Sequence, residues 1–204
     1  MIGQRSKFIL LISLIAAHGA VRAQQPDGPP PPAPDYFPKT WKEFNSLEGG
    51  FRVSLPGPPS KSTEIKPGNS VLHSFTYGSG TFIFYSVTYR DLPKSYTTEK
   101  EARDFLNGIR DTRLLGMEGK MELLSQREIT RDGQPALFLE IHLLPDRRLR
   151  ELDVIRGARH YNLIVITFNN HQTMGSANAY GEIANSFIDS FHLLEPTVPK
   201  PSVH

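Results

Sequence analysis

Three runs of strand length dictate most of what this chain can fold into, because they are apolar at consecutive positions rather than at alternate ones. Thr81–Arg90 reads TFIFYSVTYR, Ala136–Leu144 reads ALFLEIHLL and Tyr161–Phe168 reads YNLIVITF. Successive side chains of a strand point to opposite faces of its sheet. Phe82 and Phe84 of the first run therefore face one side, and Ile83, Tyr85 and Val87 the other. A strand apolar on both faces needs a covering layer on each.

Turn residues separate these runs: Gly78-Ser79-Gly80 before the first, Asp132-Gly133 before the second, Pro145-Asp146 after it, and Gly157-Ala158 ahead of the third. Short turns join antiparallel neighbours. Phe51–Leu55, Val71–Tyr77, Met121–Ile129 and Leu149–Arg156 are further strand candidates, which predicts about six or seven strands in a mostly antiparallel sheet. Two helices supply the cover. The first opens on Thr98-Glu99-Lys100-Glu101, a capping box, and continues with Ala102, Phe105, Leu106 and Ile109 at helical spacing. The second spans about Ser176 to Asp189, with Tyr180, Ile183, Ala184 and Phe187 on one face, and a short apolar end, Phe191–Leu194, follows. The expected fold is α+β, one mostly antiparallel sheet with helices on both faces. Strands and helices do not alternate singly, which argues against a doubly wound nucleotide-binding fold.

The N-terminal segment has a different character. Arg5 and Lys7 precede an apolar run, Phe8–Ala17, and a small-residue site ends at Val21-Arg22-Ala23, the layout of a secretory signal peptide over residues 1–23. The apolar run is about half the roughly 20 residues a helix needs to cross a bilayer, so cleavage is favoured over a permanent anchor. Residues 24–40, QQPDGPPPPAPDYFPKT, favour an extended polyproline path. They read as a spacer, with a docking ligand for aromatic grooves as the other option. Residues 41–195 form the single domain and 196–204 a flexible tail. The expected destination is the periplasm or the medium, with no integral span after cleavage.

Several activities are disfavoured by composition. The chain has no cysteine, which rules out disulfides, thiolate metal sites and a cysteine nucleophile. Its formal charge of +2 rests on Arg5, Lys7 and Arg22, and their removal leaves 20 basic against 21 acidic residues. That balance gives no support to nucleic-acid binding. His73, His142, His160, His171, His192 and His204 form no H-x-H or H-E-x-x-H pair. Gly78-Ser79-Gly80 reads as a strand turn rather than a nucleophile elbow, and phosphate and dinucleotide loops are missing. No cofactor, metal site or catalytic residue is expected.

One constellation stands out. Glu140 and His142 share a strand face, as do Arg148 and Arg150 across the next turn. If Leu144 pairs with Arg148, His142 faces Arg150 and the four side chains form a contact for an anionic group or a partner. The other outcome is a solvated edge on which Asp146, Glu151 and Asp153 balance the charge.

Residues 41–59, WKEFNSLEGGFRVSLPGPP, are the most distinctive stretch, with Gly49 and Gly50 allowing a tight reversal and Pro56 and Pro58 ending the strand that follows. The segment resembles the opening of PsbP-like and DcrB-like exported bacterial proteins, in which an aromatic-led strand, a Glu-Gly turn and an F-x-V-x-L-P-G-x-P strand begin an α/β/α sandwich. Ser186–Phe191 also resembles the last helix and strand of that group. The resemblance spans about 150 residues and implies a fold rather than a chemistry, since PsbP-like domains serve as accessory subunits of photosystem II in one lineage and carry no family catalytic motif. The expected function is an exported, non-enzymatic accessory or binding domain of the cell envelope, whose partner is an envelope protein or a small ligand. The alternative is a hydrolase-like enzyme with a site drawn from separate loops, such as Glu140, His142 and His160. N-terminal sequencing of the exported protein should begin at Gln24; a start at Met1 would overturn the cleavage assignment.

Overall fold

The computed structural model describes residues 40–79, 83–116, 119–168 and 176–195. The expected signal peptide, nearly all of the Pro-rich segment, the tail, Phe82, His171 and His204 lie outside the described residues. The elements in order are β1 (Lys42–Ser46), β2 (Phe51–Leu55), β3 (Ser60–Lys66), β4 (Ser70–Ser79), β5 (Ile83–Tyr96), α1 (Glu99–Gly116), β6 (Met121–Arg131), β7 (Gln134–Leu143), β8 (Arg147–Phe168), α2 (Ser176–Asp189) and β9 (His192–Leu193). They form two antiparallel sheets, a six-stranded one in the order β3-β4-β5-β8-β7-β6 and a three-stranded one in the order β1-β2-β9. The single sheet expected from sequence is thus corrected. Phe51–Leu55 belongs to the smaller sheet, where Phe51, Val53 and Leu55 alternate inward and are buried.

The runs Leu149–Arg156 and Tyr161–Phe168 are joined in one strand element, β8. Residues 147–154 pair with β7, whereas 157–167 pair with β5. Asp153 and His160 are seven residues apart, about 23 Å along an extended strand, yet His160 Nε2 lies 2.8 Å from Asp153 Oδ1. Asn162 likewise reaches Glu151. β8 therefore doubles back on itself at Gly157, which takes a positive φ of 60°. The expected reversal occurs there, without a break in the strand.

Two apolar clusters fill the interior, and β7 feeds both from alternate positions. Ala136 and Phe138 join Leu152, Val154, Tyr161, Leu163 and Val165 of β8, the inward residues of β2, and Ala184, Phe187 and Ile188 of α2. Leu137, Leu139 and Ile141 join Leu149 and Ile155 of β8 and Ala102 and Leu106 of α1. The first cluster is rich in rings. Phe51 meets Phe75 edge-on at 5.6 Å and lies 5.6 Å from Phe191, and Trp41 meets Tyr85 edge-on at 5.9 Å. β5 departs from expectation: Ile83, Tyr85, Val87 and Tyr89 are buried, but Phe84 on its other face is 40% exposed. α1 opens as the capping box requires, with the Glu101 amide donating to Thr98 Oγ1 at 3.2 Å and the Thr98 hydroxyl donating to Glu101 Oε2 at 3.2 Å.

The Leu47–Gly50 turn fastens the small sheet to the large one. The Gly49 amide donates to Ser46 Oγ (3.1 Å) and the Gly50 amide to the Ser46 carbonyl (2.8 Å). Tyr161 Oη donates to the Gly49 carbonyl (2.9 Å), and Arg159, held by Asp91 at 2.6 and 2.9 Å, donates to the Glu48 carbonyl at 2.8 Å. A Cβ on Gly49 would stand 2.6 Å from the Phe51 ring and 2.7 Å from Ser46 Oγ, while Gly50 has a φ of 69°. We expect Gly49→Ala to cost about 1–3 kcal/mol through overpacking. Gly108 is exposed within α1, and a Cβ there would meet nothing within 4 Å. Its conversion to Ala should instead gain about 1 kcal/mol. Urea denaturation of the two variants checks both signs.

Candidate functional site

Two carboxylates of the fold lie inside it. Glu151 and Asp153 on the outgoing arm of β8 are fully buried, and His160 and Asn162 on the returning arm are nearly so. The fold-back at Gly157 sets them face to face. His160 Nε2 donates to Asp153 Oδ1, Asn162 Nδ2 donates to the same oxygen at 2.9 Å, and Asn162 also donates to Glu151. From the last turn of α1, Arg113 pairs with Glu151 and approaches Asp153 Oδ2 at 4.0 Å. The Phe105 ring closes over His160, edge-on at 5.9 Å.

Burial pushes the Asp153 carboxyl up, but the His160 hydrogen bond and charge, Arg113 and Asn162 outweigh it and hold it below the usual carboxylate value of 3.8. Burial also pulls the nearby Arg90 guanidinium down, against the attraction of Asp153. The two buried carboxylates are thus compensated by cationic and hydrogen-bonding groups, Arg113 at Glu151 and Arg113, Arg90, His160 and Asn162 around Asp153. The chemistry of the arrangement is that of a latch between α1 and β8.

Glu151 and Asp153 correct one of the two outcomes weighed from sequence, a solvated edge on which they balance charge, since both are buried. The signal was present in the alternation of the strand: Leu149, Glu151, Asp153 and Ile155 share one face, and its two ends are apolar. Ala102, Leu106, Ile109 and Arg113 likewise follow one helical stripe, so Arg113 falls on the buried side of α1.

The sequence-predicted cluster is brought together with a different register. Leu143 pairs with Arg147, so His142 lies opposite Arg148 and Glu140 opposite Arg150. Glu140 Oε1 accepts from Arg150 Nη2 (2.9 Å) and Nε (3.2 Å) and from Arg148 Nη1 (3.3 Å). Arg150 Nη1 donates to the Gly181 carbonyl of α2 at 2.7 Å. His142 Nδ1 stands 3.9 Å from Glu122 Oε2. His160 does not join Glu140 and His142, since its partners are Asp153 and the Phe105 ring. The cleft at the start of α1, lined by Tyr96, Thr98, Ala102, Gln134, Pro135 and Ile155 among others, contains none of these three residues. Among the described residues, no group of three or more His, Asp or Glu side chains is placed to hold a metal ion. No helix among them is long and apolar enough to cross a membrane.

No protein-family model and no curated protein sequence matches the chain. Its architecture is nonetheless that of a known fold. The chain is similar to the solution structure of cyanobacterial PsbP (CyanoP) from Synechocystis sp. PCC 6803, at a TM-score of 0.54 and 15% identity over 75% of this chain and 92% of that one. The fold is PsbP-like, as residues 41–59 lead one to expect. More distant likenesses are the Saccharomyces cerevisiae Ran-binding protein Mog1p (TM-score 0.44, 11% identity, 76% of this chain and 96% of that one) and the extracellular domain of PknH from Mycobacterium tuberculosis (TM-score 0.32, 11% identity, 72% and 90%).

The latch makes two measurable demands. Arg113→Ala should cost about 3–5 kcal/mol, because it leaves buried carboxylates unpaired. Asp153 is more acidic folded than unfolded, so between the two values the unfolded chain binds more protons. Its contribution is complete above about pH 4 and fades as pH falls through the lower, folded value. Urea midpoints across that range should fall less steeply in Asp153→Asn than in the wild type.

Proposed function

We propose that the chain is an exported, non-enzymatic accessory or binding domain of the cell envelope, working in the periplasm or the medium. In this reading α1 and α2 cover opposite faces of the large sheet and β3 is the docking edge. The observation that carries it is the state of β3. All of β3 except its last residue is exposed, and among the described residues it pairs with β4 alone. Near its end Ile65 lies opposite Val71, and the two are 74% and 38% exposed.

An extended segment of a partner protein adds to such an edge through main-chain hydrogen bonds and takes specificity from alternate side chains. Lys61 and Lys66 discourage indiscriminate pairing of the same edge. The buried groups support the non-enzymatic half of the reading: Glu151 and Asp153 are sealed beneath α1, and Glu140 is engaged by two arginines, so neither set offers an accessible base.

Affinity capture of the tagged, full-length chain from its native host tests the proposal, with mass spectrometry reading both the mature N-terminus and the co-purifying proteins. A start at Gln24 and a reproducible envelope partner are expected, and Ile65→Asp should abolish capture while leaving the urea midpoint nearly unchanged. Capture that survives Ile65→Asp would remove the edge from the proposal.

A further inference from the structure

We infer that Arg148 and His142 form a contact for an oxyanion, a carboxylate or phosphate group carried by what this domain binds; the inference rests on the binding-domain reading and adds a ligand chemistry to it. The four side chains of the cluster are not equivalent. Arg150 is tied at all three nitrogens, Nη1 to the Gly181 carbonyl and Nε and Nη2 to Glu140. It anchors α2 to the sheet. Arg148 gives only Nη1 to Glu140, at 3.3 Å, and its side chain is 39% exposed against 14% for Arg150.

The unused edge of Arg148 matters. Its Nε has no hydrogen-bond partner, and neither does Nε2 of His142, directly opposite in the register. The other ring nitrogen, Nδ1, stands 3.9 Å from Glu122 Oε2, too far for a hydrogen bond. A shielded donor without a partner is unfavourable, and here two such nitrogens belong to residues that are register partners on adjacent strands. The Nε and Nη2 hydrogens of a guanidinium form a fork that matches two oxygens of a carboxylate or phosphate. Glu140 offsets one of the two guanidinium charges and orients Arg148 without occupying that fork. Both unpaired atoms are shielded from water, so the contact requires Arg148 to turn its free edge outward and thereby uncover the His142 ring nitrogen opposite it. A side chain tied at one nitrogen can do this, and one tied at three cannot.

The test is NMR of the mature chain, titrated separately with inorganic phosphate and with succinate at fixed ionic strength, following the Arg148 Nε–H and His142 ring resonances. A saturable shift of both is expected. Arg148→Lys, which keeps the charge and loses the fork, should weaken binding about ten-fold, on the scale of one charge-assisted hydrogen bond. A response to succinate alone identifies a carboxylate as the natural group, and a stronger response to phosphate identifies a phosphate; either supports the site. Absence of a saturable shift, or equal affinity in Arg148→Lys with an unchanged urea midpoint, overturns it. Should Ile65-dependent partner capture persist while this titration fails, the anion contact falls and the binding-domain reading stands.

Discussion

The reversal of β8 at Gly157 is the constraint on which the rest of the structure depends. One turn supplies both central arms of the large sheet, the outgoing one bonded to β7 and the returning one to β5. It also fixes the content of both clusters, because face-sharing residues of the two arms are set by a single register. Leu152 and Val154 meet the layer of Tyr161, Leu163 and Val165 on one side. On the other, two carboxylates come to lie against an imidazole and an amide. Burying two negative charges is unfavourable without cations at hand, so the position of α1 is a consequence: its last turn delivers Arg113 to Glu151.

This division of labour makes α1 an unusual element. Its first half is held by apolar contact through Ala102, Phe105 and Leu106, whereas its second half is held mainly by charge. The other helix, α2, is anchored by Ala184, Phe187 and Ile188 and by two guanidinium groups from the sheet, Arg150 at the Gly181 carbonyl and Arg131 at Asp189. Each helix is thus fastened to the sheet by packing together with more than one arginine contact. The cluster noticed in the sequence turns out to have a structural half, Glu140 with Arg150, and a half with spare donors, Arg148 with His142.

Much of this is legible in the sequence alone. The capping box at Thr98, the Leu47–Gly50 reversal and the strand character of the apolar runs are local signals, each written within a few neighbouring residues, although Phe84 in the first run is more exposed than its pattern suggests. The PsbP-like character is likewise carried by a contiguous segment. What escapes is non-local. β3 lacks an apolar face, since SKSTEIK is exposed along nearly its whole length, so periodicity has nothing to detect. The separation into two sheets depends on which edge β2 pairs with, and β9 contributes only two residues. The pairing register across the turn between β7 and β8 is displaced from the one a simple count of turn residues suggests. Glu151 and Asp153 look solvated in sequence because their neutralising partners lie as far away as Arg113 on α1.

The chain contains one tryptophan, and its location gives the protein an optical property. Trp41 sits immediately before β1, half-buried, with its ring edge-on to Tyr85 of the large sheet. Its emission therefore reports on whether the small sheet is docked against the large one. A red shift that precedes the loss of far-ultraviolet dichroism would mark undocking as a separate event, and coincident changes would mark the two sheets as one cooperative unit.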